Sequence, residues 1–178
     1  MKVKKFVNFS SIWENYNGVK DNILNLYSVY KKSFSFIISF YEKLYPTIKF
    51  YNLNISDTFG KNDKRNKLIN TLRVNFKDNK ITNIISRKLY MNLVNVIDIT
   101  NCVNLIINKT IKPGNYSLVN SKNYSIADII SKHKKINKKK IRIKWLGNKI
   151  IKEKIYMHKK VPGWKLNYSN LGSIIDSI

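Results

Sequence analysis

The sequence is short of several things at once. Its 178 residues hold one cysteine, two histidines, three prolines and six glycines. The single cysteine, Cys102, excludes a disulfide within the chain and is consistent with a reducing compartment. Lying in an apolar run, it is expected to be a small buried hydrophobe. His133 and His158 have no thiol or carboxylate cluster around them, so no metal site is expected. Long hydrophobic runs are also missing. The longest, Phe34 to Tyr41, contains serines and is far too short to span a bilayer. The basic start, Met1 to Phe6, leads into an apolar stretch broken by Asn8 and Ser10, unlike the apolar region of a signal peptide. The expectation is a cytoplasmic protein with no membrane partner. The glycines, Gly18, Gly60, Gly114, Gly147, Gly163 and Gly172, are scattered singly.

Acidic residues are scarce too. Ten Asp and Glu face 34 Lys and Arg, for a formal net charge of +24. Such an excess can mark a nucleic-acid or other anionic partner. Here Lys, Asn and Ile are all abundant together, the triad that an AT-rich coding sequence produces without selection for charge. The cations are also spread along the chain. The exception is Lys132 to Lys144, dense enough to be a local patch and accounted for by a solvated helix end and turn. No base-stacking ribonucleoprotein motif or finger spacing supports nucleic acid. A hydrophobic content of 43% allows a sizeable core, and the length suits one domain or part of a larger one.

Hydrophobic periodicity orders the chain. Val3 to Ser10 reads as a strand, and Ile12 to Asn22 as a polar loop with an Asn17-Gly18 turn. From Ile23 to Leu44, Tyr27, Tyr30, Phe34, Ile37, Ile38, Tyr41 and Leu44 form one apolar stripe at helical spacing, stopped by Pro46. Ile48 to Ile55 is a strand, Asp57 to Gly60 a turn, and Asp63 to Phe76 a helix with Leu68, Ile69, Leu72 and Phe76 inward. Short strands at Ile81 to Ser86 and Asn92 to Ile97 precede a helix at Ile99 to Asn108. Tyr116 to Val119 is strand-like. Ser125 is placed to cap Ile126 to His133, with Asp128 three positions on. Ile141 to Trp145 alternates as an exposed strand, and Leu171 to Ile175 closes the chain as a small helix. Strand and helix alternate in the first half, which predicts parallel pairing; the second half reads as α+β.

Tyr27 and Lys31 share one helical face, one turn apart. A free tyrosine, with a pKa of about 10, is a poor base at neutral pH; a cation one turn away favours the phenolate. The same Tyr-x-x-x-Lys spacing occurs at Tyr16/Lys20, Tyr45/Lys49 and Tyr156/Lys160. Those pairs are broken by a turn or by Pro46, or run into Pro162-Gly163. Only Tyr27/Lys31 lies on a good helix, between a strand ending in Ser10-Ser11 and a strand ending in the Asp57 to Gly60 turn.

In that setting the chain resembles the extended short-chain dehydrogenases/reductases of the NAD-dependent epimerase/dehydratase kind, which act on nucleotide-activated sugars. Lys5-Phe6-Val7-Asn8-Phe9-Ser10-Ser11 resembles the strand presenting the catalytic Ser or Thr. Ile12-Trp13-Glu14-Asn15-Tyr16-Asn17 resembles the variant loop of a branch assigned to O-antigen sugar modification, and Asn25-Leu26-Tyr27-Ser28-Val29-Tyr30-Lys31 the Tyr/Lys helix. Further on, Leu53 to Gly60, Asn62 to Ile69, Val94 to Ile99, Gly114 to Leu118, Ser125 to Ile130, and Pro162-Gly163-Trp164-Lys165 with Tyr168-Ser169 resemble successive family segments in the family's order.

The resemblance implies an α/β fold: the C-terminal part of a Rossmann-like parallel sheet plus a smaller α+β substrate domain. Residues 1–76 would be the C-terminal half of the NAD-binding domain and residues 77–178 the substrate-binding portion. It further implies hydride transfer with NAD or NADP, Tyr27 as general acid or base, and Lys31 both assisting Tyr27 and holding the nicotinamide ribose. Ser11, or Ser10 at this Ser-Ser pair, would bond the reacting sugar oxygen. Asp57, Arg65 and Lys67 would contact the nucleotide sugar, a guanidinium suiting a diphosphate through forked bonds; solvated helix charges explain Arg65 and Lys67 equally well. Asp98 is expected to cap the following helix.

The family's glycine-rich phosphate loop has no counterpart among the scattered glycines, and Phe59 and Lys61 stand where Tyr and Pro are common. Three readings therefore stay open: the catalytic half of such an enzyme, with the N-terminal Rossmann half on a separate or missing chain, its protein partner being that chain or else a homodimer partner; an inactive remnant; or a basic nucleic-acid-binding protein. A half-sheet without its neighbours is expected to leave an open edge.

Overall fold

The computed structural model describes residues 3–138 and 141–178. In chain order the elements are β1 (Lys5–Ser11), a 3₁₀ turn (Ile12–Gly18), α1 (Leu26–Leu44), β2 (Lys49–Ile55), β3 (Asp57–Phe59), α2 (Leu68–Lys77), β4 (Thr82–Ile84), β5 (Leu89–Met91), β6 (Leu93–Asn95), α3 (Val96–Asn108), β7 (Gly114–Leu118), β8 (Tyr124–Ser125), α4 (Ile126–Asn137), β9 (Ile143–Trp145), β10 (Ile151–Lys152) and α5 (Leu171–Asp176). None of these helices is long and apolar enough to cross a membrane. The chain packs as two units that interleave along the sequence: residues 3–56, 99–119 and 154–165 in one, and 57–98, 120–153 and 166–178 in the other.

The first unit is built on a parallel sheet of order β1-β2-β7. Alternation along the strands gives it two unlike faces. Tyr51, Leu53, Tyr116 and Leu118 point to one side and pack with Cys102 and Ile106 of α3 and with Ile111 and Val161. Cys102 is fully buried there, as expected, and burial pushes its thiol up to about 12. The other face carries Asn8, Asn52 and Asn115 in one row and Ser10, Asn54 and Ser117 in the next.

α1 covers that polar face, and here the structure departs from the expectation. The helix begins one residue after Asn25. The Asn25 side chain accepts from the Ser28 N–H, and Ser28 Oγ accepts from the Asn25 N–H, each at 3.0 Å, a capping box that fixes the first turn. Only Ser28 and Ile38 are fully buried on α1. Of the expected stripe, Ile38 is buried and Phe34, Ile37 and Tyr41 face a groove shared with Phe6 and Phe50 at the start of the sheet, while Tyr30 is 65% exposed; Phe36 and Phe40, off the stripe, are 64 and 62% exposed. Amphipathic spacing identified a face but not what the face meets. An apolar groove of about 340 Å³ lies between the start of β1 and the second half of α1, lined by Phe6, Phe34, Ile37, Tyr41, Ile48 and Phe50 among others. Among the described strands β1 pairs only with β2, so the sheet edge at β1 is open, as expected.

The second unit has a core of Phe59, Ile69, Leu72, Phe76, Ile129 and Ile174, with Ile84, Leu93 and Ile126 among their neighbours. Its sheets are small. β3 pairs with β6 and β4 with β9, both parallel, while β5 lies between parallel β10 and antiparallel β8. The expected turn at Asp57 to Gly60 is therefore a short strand and its end. A Cβ at Gly60 would sit 2.8 Å from Val96 Cγ2, so any larger residue there would have to displace that side chain. The helix expected from Asp63 begins only at Leu68, because Asp63 Oδ1 accepts the Arg65 N–H at 3.0 Å and turns the chain first. Ser125 Oγ accepts the Asp128 N–H at 3.2 Å and caps α4, as its spacing implied. Lys132, Lys134 and Lys135 of the basic patch lie exposed on the last turns of α4, where cations suit the helix dipole. Lys139 and Lys140, in the same patch, are outside the described residues.

Asp98 does not cap α3. It lies inside the helix's first turn, fully buried, and accepts from the Asn167 and Tyr168 N–H groups at 3.0 and 3.1 Å and from the Ser169 hydroxyl. Ser169 in turn receives the Asn95 N–H on its hydroxyl oxygen, and its carbonyl accepts from Asn120 and from the Tyr124 hydroxyl. Asp98 thus fastens the C-terminal segment to the unit. Asp98→Ala is expected to cost on the order of 3 kcal/mol, since it leaves several buried donors unmatched. The melting temperature in a calorimetric scan should fall by roughly 10 °C.

Candidate active site

The C-terminal end of β1 brings four of the expected residues into one part of the first unit. Ser11 ends the strand, and its hydroxyl oxygen accepts the Trp13 N–H at 3.2 Å, capping the 3₁₀ turn where a plain loop was expected. Ser10 alternates to the face that α1 covers. Its hydroxyl is buried and has no hydrogen-bond partner among the described residues. The same is true of both Asn54 amide atoms and of the Ser56 hydroxyl. These groups cluster where β1 and β2 end, the side on which open parallel sheets bind ligands.

α1 reaches back to this end through Lys31. Its Nζ donates to the Phe9 carbonyl at 2.8 Å, one residue before the serines, and stands 5.9 Å from the Tyr27 ring centroid. The Tyr27 side chain, half exposed, meets Trp13 edge to face, with ring centroids 6.3 Å apart and planes at 85°. The pairing inferred from helical spacing is therefore real proximity, with the ammonium anchored to the strand and the phenol open to solvent.

One residue here escaped sequence reasoning. Glu14, in the 3₁₀ turn, is 2% exposed. Its two carboxyl oxygens accept from the Ser35 hydroxyl of α1 at 3.0 and 3.1 Å. Burial pushes Glu14 up to about 7, against the Ser35 hydrogen bond and the nearby Lys32 and Lys31 ammonium groups. Lys32 also forms an ion pair with Asp21. Ser35 Oγ accepts from Asn52 Nδ2 at 3.2 Å, and Asn52 bonds to Asn8 and Asn115 at 2.6 and 3.0 Å. A polar network thus runs from the turn through α1 into all three strands. Its one sequence signal was a lone glutamate in the loop directly after the serine strand.

The other expected residues lie in the second unit. Lys67 Nζ meets Asp57 Oδ1 at 3.0 Å. Arg65 forks onto Asp63, with Nε to Oδ1 at 2.9 Å and Nη2 to Oδ2 at 2.6 Å, and also donates to Thr58. That guanidinium holds the Asp63 carboxyl below its usual range. Both expected cations are thus engaged with carboxylates while more than half or nearly half exposed, at 55 and 49% of their side chains. Glu153, also unforeseen, lies against Asp57 and accepts the Asn92 N–H at 2.5 Å. Burial first, and then the neighbouring Asp57 carboxylate, raise it to about 8.

No family model matches the chain, and no curated protein matches it. Solved structures do. The UDP-glucuronic acid 4-epimerase of Bacillus cereus in complex with NAD aligns with a TM-score of 0.81 at 18% identity, over 99% of this chain and 59% of that one. The dTDP-glucose 4,6-dehydratase of Bacillus anthracis in complex with NAD gives 0.77 at 14% identity, over 97% and 61%. The Thermus thermophilus UDP-glucose 4-epimerase, also with NAD, gives 0.74 at 14%, over 98% and 63%. The chain shares the fold of these epimerases and dehydratases, and it spans about three fifths of their length.

The buried carboxyl gives a testable sign. Glu14 has an ordinary value of 4.5 and a folded value of about 7. The folded state therefore holds a proton that the unfolded state has lost over that interval, and Glu14's contribution makes stability fall as pH rises through it. Glu14→Gln should cancel that contribution. In melting curves from pH 4 to 9, the melting temperature of the variant relative to wild type should climb between about pH 4.5 and pH 7 and then level off.

Proposed function

We propose that this chain is the catalytic and substrate-binding part of an NAD(P)-dependent enzyme that modifies nucleotide-activated sugars. The placement of Lys31 carries the reading: one ammonium group ties α1 to the strand end that presents Ser10 and Ser11 and stands beside the Tyr27 ring. Tyr27 is the general acid or base that moves the proton on the reacting sugar oxygen. Lys31 supplies the positive charge that a phenol needs for that work, and with Tyr27 it would hold the nicotinamide ribose. Ser11 bonds the reacting oxygen, with Ser10 as its alternative; the unpartnered hydroxyl of Ser10 supports a polar occupant at this end of the sheet. NAD or NADP, when bound, would accept and return the hydride on the adjacent sugar carbon. In the second unit, Lys67 and Arg65 would exchange their present carboxylate partners for the diphosphate of the sugar nucleotide, and Asp57 would be a further contact to it.

The described residues fit the nicotinamide end of such a cofactor better than its pyrophosphate. The start of α1, where helix N–H groups could cradle phosphate, is closed by its own Asn25-Ser28 box. The remaining cradle would come from an N-terminal Rossmann half, and the open edge of β1 can accept one more parallel strand.

Turnover of UDP-glucose and dTDP-glucose with NAD, followed by product NMR with an N-terminal half supplied in trans, tests the reading. Tyr27→Phe should lower kcat by roughly 10²–10⁴-fold with KM little changed; undiminished turnover removes Tyr27 from the chemistry. Arg65→Ala should weaken UDP-glucose binding by about tenfold. Wild type that binds the sugar nucleotide yet never turns over is the inactive remnant. The chain alone should bind NAD weakly or not at all, and micromolar binding in a calorimetric titration would contradict the incomplete cradle.

A further inference from the structure

We propose that the Ile12–Gly18 turn is a two-point clamp that positions Tyr27 and Lys31, with Trp13 holding the Tyr27 ring and Glu14 holding α1 through Ser35. The inference rests on the reading of Tyr27 and Lys31 as the reacting pair, and it assigns positioning roles to two residues outside that pair.

α1 needs such a device because under its first half, where Tyr27 and Lys31 lie, the sheet offers little apolar hold. Of its side chains only Ser28 and Ile38 are buried, and the sheet face beneath Tyr27 and Lys31 carries Asn and Ser side chains, with Phe6 and Phe50 on that face only at the other end of the strands. Apolar packing would resist rotation of the helix through many small contacts. Without it, rotation and register are set by a few directional hydrogen bonds. Glu14 supplies one of them. Ser35 lies one helical turn beyond Lys31 on the same face, so a shift of Ser35 carries the Lys31 ammonium with it. Trp13 supplies the other restraint: its ring meets Tyr27 edge to face, a preferred arrangement for aromatic pairs. Its own backbone is fixed by the Ser11 cap. Both contacts belong to one short turn anchored at the strand end, so the phenol, the ammonium and the serines are referred to a common frame.

The clamp is also sensitive to neutral pH. Glu14 is held near 7 by burial, and the charged groups that act on it are Lys31 and Lys32 from α1 and Asp21 from the loop before it. Ionised, Glu14 accepts from Ser35 and attracts both lysines. Protonated, it loses that attraction, and the hold on the Lys31 turn changes with it.

The test uses the full chain labelled with 5-fluorotryptophan, with the Trp13 fluorine signal assigned by Trp13→Phe. In wild type the Trp13 resonance should shift with a midpoint near pH 7. Glu14→Gln, nearly isosteric, should abolish the shift. Ser35→Ala should diminish it, and Ser35→Thr, which keeps the hydroxyl, should restore it. A Trp13 titration unchanged in Glu14→Gln overturns the clamp, as does a Ser35→Thr variant that behaves like Ser35→Ala. In turnover, Trp13→Ala should lower kcat about tenfold or more at nearly constant KM, the signature of a misplaced reacting group; a change confined to KM also counts against the clamp. The fluorine titration needs no turnover, so failure of the Tyr27 chemistry and failure of the clamp are read separately.

Discussion

Asn52 joins four elements through one amide. Its carbonyl oxygen accepts from Asn8 on β1, and its nitrogen donates both to Asn115 on β7 and to Ser35 on α1. A primary amide has two donor hydrogens and an acceptor oxygen, and all of this capacity is engaged in a buried setting where an unmatched polar group would be costly. The arrangement is satisfied only when the three strands are in register and α1 sits at one rotation above them. The position of Lys31 over Phe9, and of Tyr27 beside Trp13, follows from that seating.

The same constraint explains what α1 leaves outside. Because its inward line is Ser28, Lys31, Lys32, Ser35 and Ile38, most of its large apolar side chains lie to the side of or away from the sheet. They continue into the apolar groove at the open edge of β1. Exposed apolar surface beside an unpaired strand edge is what a partner element would cover. The polar interior and apolar exterior of this helix are thus two sides of one choice of seating.

Much of this was legible in the sequence, and the exceptions have physical causes. The Tyr27/Lys31 helix could be read because its limits are local: Asn25 begins it and Pro46 ends it. Ser125 with Asp128 was legible for the same reason. The inward face of α1 was not, because periodicity reports that a helix is two-sided and does not say which side meets a sheet whose own face is polar. Glu14 looked like an ordinary loop acid, since its burial depends on a helix that packs over it two turns beyond Tyr27. Glu153 and Asp57 are too far apart in sequence for any spacing rule to join them. Asp98 resembled a cap because it stands near a helix start; its true partners, Asn167 to Ser169, come from the far end of the chain.

That last connection bears on how the protein is made. A ribosome delivers Asp98 well before residues 167–169. Until those residues emerge, the carboxyl group lacks the backbone and hydroxyl donors that satisfy it in the folded unit, so its stable burial must await them. The second unit should therefore be completed only after Ser169 has emerged. A chain released before Ser169 would lack this latch and would be a natural substrate for cellular quality control.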